Sequence, residues 1–482
     1  MTFGLAPGKL GFKIGDVLVG LQSGTTDTPE TISSTQNKLH TIPYMWNPDT
    51  LAYEVPQQPL TDAELRASAV TTTPAASTVE MGRVGFSLDA VSPFGDLVTA
   101  PITPLIQMDW VYGINTQTGV STVANGGTAD TSNGRLRLQT STATNGSAIF
   151  RSRRPARYRP GQGIIARFTP VFTTGVADST QLMGPGTDTD GYFFGYNGTA
   201  KGILHRNPYG SPATDTWIPQ TDWNGDKCDG SGASGFNWNP TYGTPAMVRY
   251  PFLGYGDISF WLQDTTTARW ILCHTIRYAN TTAALQLGNP SLFFYSQVLN
   301  SGNNTNLTAY CGSVGFFLCG ERAFVSSPRW AADNNKSGIT AETNILSLRN
   351  ATTYNGVTNR ALIRLTQVSV GSQAAAGTYV LRLRIGATIG GVPAFTPVGG
   401  ATADNGATIT SGNSITSVDT AGTTATAGTY IFNISGSNAG GGGLTDLTPY
   451  NLFIAPGEIL TASVFSTNNT AVTVSLNWQE DI

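Results

Sequence analysis

The stretch AVTVSLNW, Ala471–Trp478, alternates apolar and polar residues without interruption. In an extended chain Val472, Val474, Leu476 and Trp478 point to one face, and the residues between them point to the other. An amphipathic helix would instead repeat its apolar residues at intervals of three and four. The stretch therefore predicts a β-strand with one buried face and one face in water.

The same alternation recurs from about residue 82 to the end of the chain, between turns rich in Gly, Asn and Pro. Clear examples are RLRLQ at Arg135–Gln139, ISFWLQ at Ile258–Gln263 and YVLRLRI at Tyr379–Ile385. In the last of these, Leu381, Leu383 and Ile385 should oppose Arg382 and Arg384. Strands of this kind are typical of antiparallel sheets that are covered on one side. We predict an all-β protein built from antiparallel β-sandwiches.

Two segments without alternation suggest domain boundaries. One is AVTTTPAASTVEMG, Ala69–Gly82, which is rich in Thr, Ala and Pro, and the other is the polar, strand-poor segment Ser326–Asn344. They predict an extended N-terminal arm and linker over residues 1–75, a β-sandwich over 76–335 and a C-terminal β-sandwich over 336–482. An arm with little core of its own is typical of a segment that orders on binding a neighbour.

The composition disfavours several classes of partner. Only 12% of the 482 residues are charged and the net charge is −3, so no overall field attracts a polyanion, and we do not expect nucleic acid to bind. No stretch approaches the roughly 20 apolar residues of a membrane helix, and membrane insertion is not expected. The four cysteines lack metal-site spacing and are predicted to be buried thiols.

Arginines concentrate in FRSRRPARYRPGQGIIARF, Phe150–Phe168, which holds six of the 21 arginines in a chain with only six lysines. A Rossmann-type fingerprint in GQGIIA, Gly161–Ala166, lacks the preceding strand and the following helix that such a site needs. Arg suits fixed, planar pairing with carboxylates better than Lys does. We therefore predict structural or intersubunit pairing, with Asp226 and Asp229 among the partners, for Arg151, Arg153, Arg154, Arg157 and Arg159.

The loop DWNGDKCDG offers acidic residues near calcium-loop spacing, but Lys227 stands where an EF-hand needs Gly. Two interpretations stay open. Asp222, Asp226 and Asp229 form a shallow calcium site, or they cap a polar turn.

The stretch GTDTDGYFFGYNGT, Gly186–Thr199, combines carboxylates with aromatic rings. Rings can stack on the C–H face of a sugar while carboxylates accept its hydroxyls, so a carbohydrate site is predicted at Asp188, Asp190, Tyr192 and Tyr196. The alternative is that these aromatic residues belong to the core. The three histidines lie far apart in the sequence and none sits in a nucleophile motif, so no catalytic residue is predicted.

Several further motifs occur in order along the chain. They are MWNPDTLAYE, PLTDAELRAS, ARYRPGQGIIARFTPVFTTGVADSTQLMG, DGYFFGYNGT, DWNGDKCDGSGASGF, FLGYGDISFWL and FIAPGEILTASVFSTNNTAVTVSLNWQE. Together, from about Met45 to the end, they resemble a family of bacteriophage virion proteins that has relatives in large DNA viruses.

This resemblance implies a lectin-like jelly roll in the middle block and a structural, non-enzymatic part of a virion. The implied position is a tail or baseplate fibre or receptor-binding component; a capsid decoration or head-fibre protein and a capsular polysaccharide depolymerase are the alternatives. The resemblance also implies assembly in the host cytoplasm, a homo-oligomer that is expected to be a trimer, contacts with other virion proteins through the arm, and a host surface glycan as a possible ligand. No cofactor is expected.

Overall fold

In the computed structural model, the chain divides into two compact units, Met1–Asp96 and Leu97–Ile482. The structure describes residues 100–209, 214–322, 327–372, 378–399, 414–437, 443–466 and 469–482, and elsewhere only the backbone of a few short strands. In the first unit these strands are β1 (Leu10–Ile14), β2 (Val17–Leu21), β3 (Met45–Asn47) and β4 (Ala52–Glu54), which pair as β1–β2 and β3–β4. Most of the predicted arm lies outside the described residues and stays a prediction.

The second unit begins with a sandwich of fifteen described strands. They are β5 (Ile102–Asp109), β6 (Gly119–Ala124), β7 (Thr128–Ser132), β8 (Arg135–Gln139), β9 (Ser147–Ser152), β10 (Ile164–Phe172), β11 (Ser179–Gly186), β12 (Gly191–Asn197), β13 (Ala200–Asn207), β14 (Thr214–Pro219), β15 (Ala246–Tyr250), β16 (Ile258–Gln263), β17 (Trp270–Ile276), β18 (Phe293–Asn300) and β19 (Thr308–Cys319). A short 3-10 helix, Gln220–Asp222, follows β14.

These strands form two antiparallel sheets. The eight-stranded sheet has the order β17-β16-β15-β10-β19-β8-β7, with β5 also paired to β19, and the seven-stranded sheet has the order β14-β13-β12-β11-β18-β9-β6. Between them lies an aromatic core in which the ring of Phe294 is 6.2 Å from that of Phe150 and 6.4 Å from that of Phe316. The first sandwich therefore has its own core, formed by the inner faces of both sheets.

The rest of the unit forms a second sandwich. Its described strands are β20 (Arg329–Ile339), β21 (Thr343–Asn350), β22 (Thr353–Tyr354), β23 (Val357–Thr358), β24 (Leu362–Ser372), β25 (Thr378–Ile385), β26 (Thr388–Ile389), β27 (Thr396–Pro397), β28 (Thr402–Asp404), β29 (Ala407–Ile409), β30 (Thr416–Asp419), β31 (Ala425–Thr426), β32 (Thr429–Ser437), β33 (Gly443–Asp446), β34 (Phe453–Ile454), β35 (Ile459–Phe465) and β36 (Thr470–Asp481). A 3-10 helix, Thr448–Tyr450, lies between β33 and β34.

In this second sandwich, a five-stranded sheet in the order β20-β36-β24-β33, with β34 paired to β24, and a six-stranded sheet in the order β27-β30-β21-β35-β25-β32 share one apolar core. The chain is thus an all-β protein of antiparallel β-sandwiches, which confirms the predicted fold class. In β36 the predicted apolar face is buried throughout, from Val472 to Trp478.

The alternation in β25 departs from the prediction at one point. The register of β25 against β32 shifts between Leu383 and Arg384, so Arg384 is buried and Ile385 is half-buried. The Arg384 guanidinium pairs with the Glu342 carboxylate. A bulge redirects the side chains that follow it, which strict alternation cannot anticipate.

The boundary predicted at residue 335 is misplaced. It falls inside β20, which pairs with β36 from Arg329 to Ile339 and belongs to the second sandwich. Most of the segment predicted to be strand-poor is therefore a strand, and along the chain the boundary between the two sandwiches falls between β19 and β20.

The cysteines are free thiols, and three of them are buried, whereas Cys319 is half-buried. Cys311 and Cys319 both lie on β19. Cys228 and Cys273 are brought together, with their sulfurs 3.5 Å apart, which the sequence did not indicate. Among the described residues, no helix has the length and apolar character needed to cross a membrane.

Candidate binding groove and arginine cluster

Three of the four residues predicted to bind carbohydrate are buried. Tyr192 and Tyr196 lie on β12, facing the core of the first sandwich, and Tyr192 has no exposed surface. The Tyr192 hydroxyl donates to the side-chain oxygen of Gln286 at 2.7 Å, and burial raises the pKa of this tyrosine well above its usual value. Asp188 alone is exposed. The four residues do not form a shared surface, because the inward positions of β12 face the opposite sheet.

Asp190 is part of a buried ion pair. Arg360, which precedes β24 in the second sandwich, donates to its carboxylate, and the backbone N–H of Gly288 donates to the same group at 2.6 Å. Asp190 therefore holds the two sandwiches together and has no accessible oxygen to offer a sugar.

The five arginines named from the sequence all have partners within the chain. The Arg153 guanidinium pairs with Glu458 at 3.2 Å, and the guanidinium groups of Arg151 and Arg154 lie over the rings of Phe293 and Phe453. Glu458 and Phe453 belong to the second sandwich. Arg153 and Arg154 therefore connect the two sandwiches through charge and through ring stacking, whereas the contact of Arg151 with Phe293 lies within the first sandwich.

Arg157 and Arg159 converge with a third arginine, Arg322, on the buried carboxylate of Asp481. The shortest nitrogen to oxygen distances to Asp481 are 3.6 Å for Arg157, 2.6 Å for Arg159 and 3.1 Å for Arg322. Burial lowers the pKa of Arg157, and the charge of Asp481 opposes this effect. A guanidinium stays protonated in proteins, so the cluster presents three cations to one anion.

Asp226 and Asp229 are not the partners of these arginines, contrary to the prediction. The carboxylate of Asp226 accepts hydrogen bonds from the backbone N–H groups of Cys228 at 2.8 Å and Ser234 at 2.7 Å. Burial acts to raise the pKa of Asp226, but these donors outweigh it and hold the pKa below its usual value. The carboxylate of Asp229 accepts from Ser231 in the same way.

The same loop favours capped turns over a calcium site. The Asp222 carboxylate accepts a hydrogen bond from the adjacent Thr221 hydroxyl, and Asp226 and Asp229 bond within their own turns. Within the described part of the chain, no group of three or more His, Cys, Asp or Glu side chains is placed to hold a metal ion.

A groove of about 430 Å³ crosses the outer face of the eight-stranded sheet. It runs over β5, β19 and β10 and reaches Pro245 and Trp270. Arg167 and Phe317 point away from the core because they alternate with the inward-facing Phe168 and Phe316, and the buried Phe168 and Val314 contribute to the lining from below. The lining residues are Gln107, Met108, Asp109, Arg167, Phe168, Thr169, Pro245, Trp270, Ser313, Val314, Gly315 and Phe317.

Strand register brings the polar groups of the groove together. Gln107 and Asp109 on β5 lie opposite Gly315 and Ser313 on β19, and Arg167 on β10 lies opposite Gly315 from the other side. The Asp109 carboxylate accepts one hydrogen bond, from the N–H of Val111 at 3.2 Å. Among the described residues, the side chains of Gln107, Arg167 and Ser313 make no hydrogen bond or ion pair. Side-chain donors and acceptors in the groove are therefore available to hydrogen-bond with a ligand.

Phe317 forms the apolar floor of the groove. Its ring lies across Gly315, where an added Cβ would come within 2.9 Å of the ring, and the Arg167 guanidinium lies over it at 5.6 Å. Only glycine at position 315 leaves the ring this room. The groove was not predicted from the sequence, although period-two alternation in GSVGFFLC was sufficient to place Phe317 on the outer face.

No family model matches the sequence, and no curated protein matches it. Solved structures similar to part of the chain include the lectin from Bauhinia forficata in complex with GalNAc, with 14% identity over 46% of this chain and 100% of the lectin at a TM-score of 0.26. They also include peanut lectin with a 9mer peptide, with 15% identity over 44% of this chain and 97% of the lectin, at a TM-score of 0.26. A legume lectin-like domain from Entamoeba histolytica shares 9% identity over 43% of this chain and 95% of that domain, at a TM-score of 0.26. At these identities and TM-scores the similarity assigns no function, and the fold class rests on the sheets described above.

Proposed function

We propose that this chain is a non-enzymatic structural protein of a bacteriophage particle, displayed on the particle surface as a tail or baseplate fibre or receptor-binding component. One observation carries the proposal. Buried arginine–carboxylate pairs join the two sandwiches, and the groove on the outer face of the sheet stays open. A rigid scaffold that presents an open binding face suits a displayed part. The ordered motifs that resemble phage virion proteins support the same role.

The lining of the groove favours binding over hydrolysis. Asp109 is the one carboxylate among its twelve lining residues, whereas glycoside hydrolysis commonly needs two carboxyl groups on either side of the scissile bond. A capsular depolymerase acting in this groove would lack its second acid. Incubating the protein with host capsule and measuring reducing ends tests this point, and release of reducing ends contradicts a non-enzymatic role.

Self-association is part of the proposal, with a homotrimer as the expected state. In the second sandwich Tyr430 and Phe465 lie on either side of Arg382, and they are 51% and 37% exposed. Tyr430 lies on β32, the last strand in the described order of its sheet, and Phe465 lies on β35, on the other side of β25. Exposed aromatic groups at a sheet edge favour contact with another chain. Light scattering tests this expectation, and a stable monomer at micromolar concentration contradicts it.

Electron microscopy of purified particles labelled with an antibody against this chain tests the virion role. We expect label at the tail or baseplate. Label on the head would support the decoration alternative instead, and particles without label would overturn the proposal. Removing residues 1–75 should abolish incorporation if the N-terminal segment contacts other virion proteins.

A further inference from the structure

We infer that the groove on the outer face of the eight-stranded sheet is a binding site for a neutral glycan. The inference rests on the proposed function in one respect, because it treats the groove as a binding site and not as a catalytic one. It moves the carbohydrate contact from the buried residues of β12 to a surface that is open to solvent.

The apolar part of the groove matches the C–H face of a sugar ring. The ring of Phe317 approaches Gly315, where an added Cβ would come within 2.9 Å of it, and Trp270 lies at the end of the groove beyond Pro245. Both aromatic side chains are half-buried, so each keeps part of its surface available to a ligand. Their positions are fixed by the sheet, and binding therefore costs little side-chain ordering.

The polar part of the groove matches sugar hydroxyls. Gln107 and Asp109 are two positions apart on β5 and point to the same side, about 7 Å apart along the strand. Ser313 adds a hydroxyl opposite Asp109. Together they offer carboxylate and amide acceptors, an amide donor and a hydroxyl to adjacent positions of a polyol. Within the described structure the side chains of Gln107 and Ser313 make no hydrogen bond, and the Asp109 carboxylate accepts one. All three can therefore still bond to a ligand.

Charge in the groove favours a neutral ligand over an anionic one. Arg167 and Asp109 are the two charged residues of its lining and their charges cancel. The Arg167 guanidinium lies over the Phe317 ring, and Asp109 would repel a phosphate or carboxylate bound nearby. Nucleic acid and acidic polysaccharides need a net positive surface, which this groove lacks.

The volume of the groove also fits a short glycan. About 430 Å³ falls within the range of roughly 300 to 1,000 Å³ found for small-ligand sites. The groove is open along the sheet, so a chain end or an internal segment of a polysaccharide can enter it.

The test is binding of short neutral gluco-, manno- and galacto-oligosaccharides to the whole chain, followed by saturation-transfer NMR and titration calorimetry. Trp270→Ala, Asp109→Asn and Gln107→Ala should each weaken binding of the best ligand about fivefold or more, and the Asp109 and Gln107 variants should keep the melting temperature of the unaltered protein. Gln107 and Asp109 are exposed, so their variants keep the fold even if the tryptophan variant does not.

A matched control is Tyr310→Ala. Tyr310 lies on β19, stacked under Arg135 at 4.3 Å, and does not line the groove, so its loss should leave affinity unchanged. Absence of binding to all three oligosaccharide classes at millimolar concentration would overturn the inference. The inference would also be overturned if the Gln107 and Asp109 variants bound the sugar as tightly as the unaltered protein. Salt-sensitive binding of heparin in place of neutral sugars would overturn it as well. Particle labelling is unaffected by these outcomes, so the virion role stands or fails separately.

Discussion

Arg360 donates a hydrogen bond to the carboxylate of Asp190, and the two side chains, 2% and 4% exposed, come from different sandwiches. Removing one partner leaves the other charge buried without compensation. We expect Asp190→Ala to lower the free energy of unfolding by about 3 to 5 kcal/mol. Urea denaturation measures this loss.

The matched control for this pair replaces both partners with apolar residues, as in Asp190→Leu with Arg360→Met. This double variant should recover much of the lost stability because no isolated charge remains in the interface. A loss below about 1 kcal/mol in the single variant would show that water reaches the pair.

Asp481 should contribute more to stability than a surface carboxylate in a similar pair. It has no exposed side-chain surface and faces Arg157, Arg159 and Arg322, so Asp481→Asn should cost about 3 to 5 kcal/mol. The control is Asp130→Asn, since Asp130 pairs with Arg137 at 2.6 Å but its side chain is 45% exposed. Screening by solvent should limit that cost to about 1 kcal/mol or less. Thermal and urea unfolding measure the stability that each variant loses, and equal losses would contradict a larger contribution from Asp481.

A fragment that contains β20 should be more stable than one without it. β20 pairs with β36 along most of its length and covers one edge of the five-stranded sheet. We expect a fragment of residues 327–482 to melt cooperatively. A fragment of residues 340–482 should melt at a lower temperature or aggregate, because the edge of β36 becomes exposed. Calorimetry distinguishes the two, and identical melts would show that β20 is dispensable.

Two histidines should make stability fall in mild acid. Burial lowers the pKa of both His205 and His274 below the ordinary value of 6.5. His274 Nδ1 accepts the N–H of Asn224 at 3.2 Å, a bond that protonation of this nitrogen removes. Because the unfolded chain binds these protons more readily, their contribution is present above pH 6.5 and is lost as the pH falls below it.

The measurement for this prediction is the melting temperature between pH 8 and pH 5. His205→Gln with His274→Asn should flatten the curve in that range, although both variants also change packing. A wild-type curve that is already flat would contradict the prediction.

The thiols should differ in their reaction with an aromatic disulfide reagent. Burial raises the pKa of Cys311 to about 12 and that of Cys273 well above its usual value, so little thiolate forms. We expect Cys319, which is half-buried, to react first in the folded protein and the other three only after denaturant is added. Mass spectrometry of labelled peptides identifies the order. Rapid labelling of Cys311 in the folded state would show that the first sandwich opens readily.

The sequence by itself determined the all-β class and the inward faces of most strands. Period-two alternation is a local property, and a buried sheet face requires it wherever the backbone is extended. The prevalence of Arg over Lys likewise indicated fixed pairing. β20 was missed because Asn334 and Lys336, whose side chains donate to backbone carbonyls of β21, continue the half-buried face that Trp330 and Ala332 begin and so interrupt its apolar pattern.

Only the tertiary structure decided which groups meet. Arg153 reaches Glu458 across 305 positions of sequence, and Asp190 reaches Arg360 across 170, so no local pattern could assign these partners. The same holds for the groove, in which β5, β10 and β19 come together although they are far apart in the chain. Alternation specifies which way a side chain points from its own strand, but the order of strands in the sheet follows from packing the whole core, and that order places Asp109, Arg167 and Phe317 side by side.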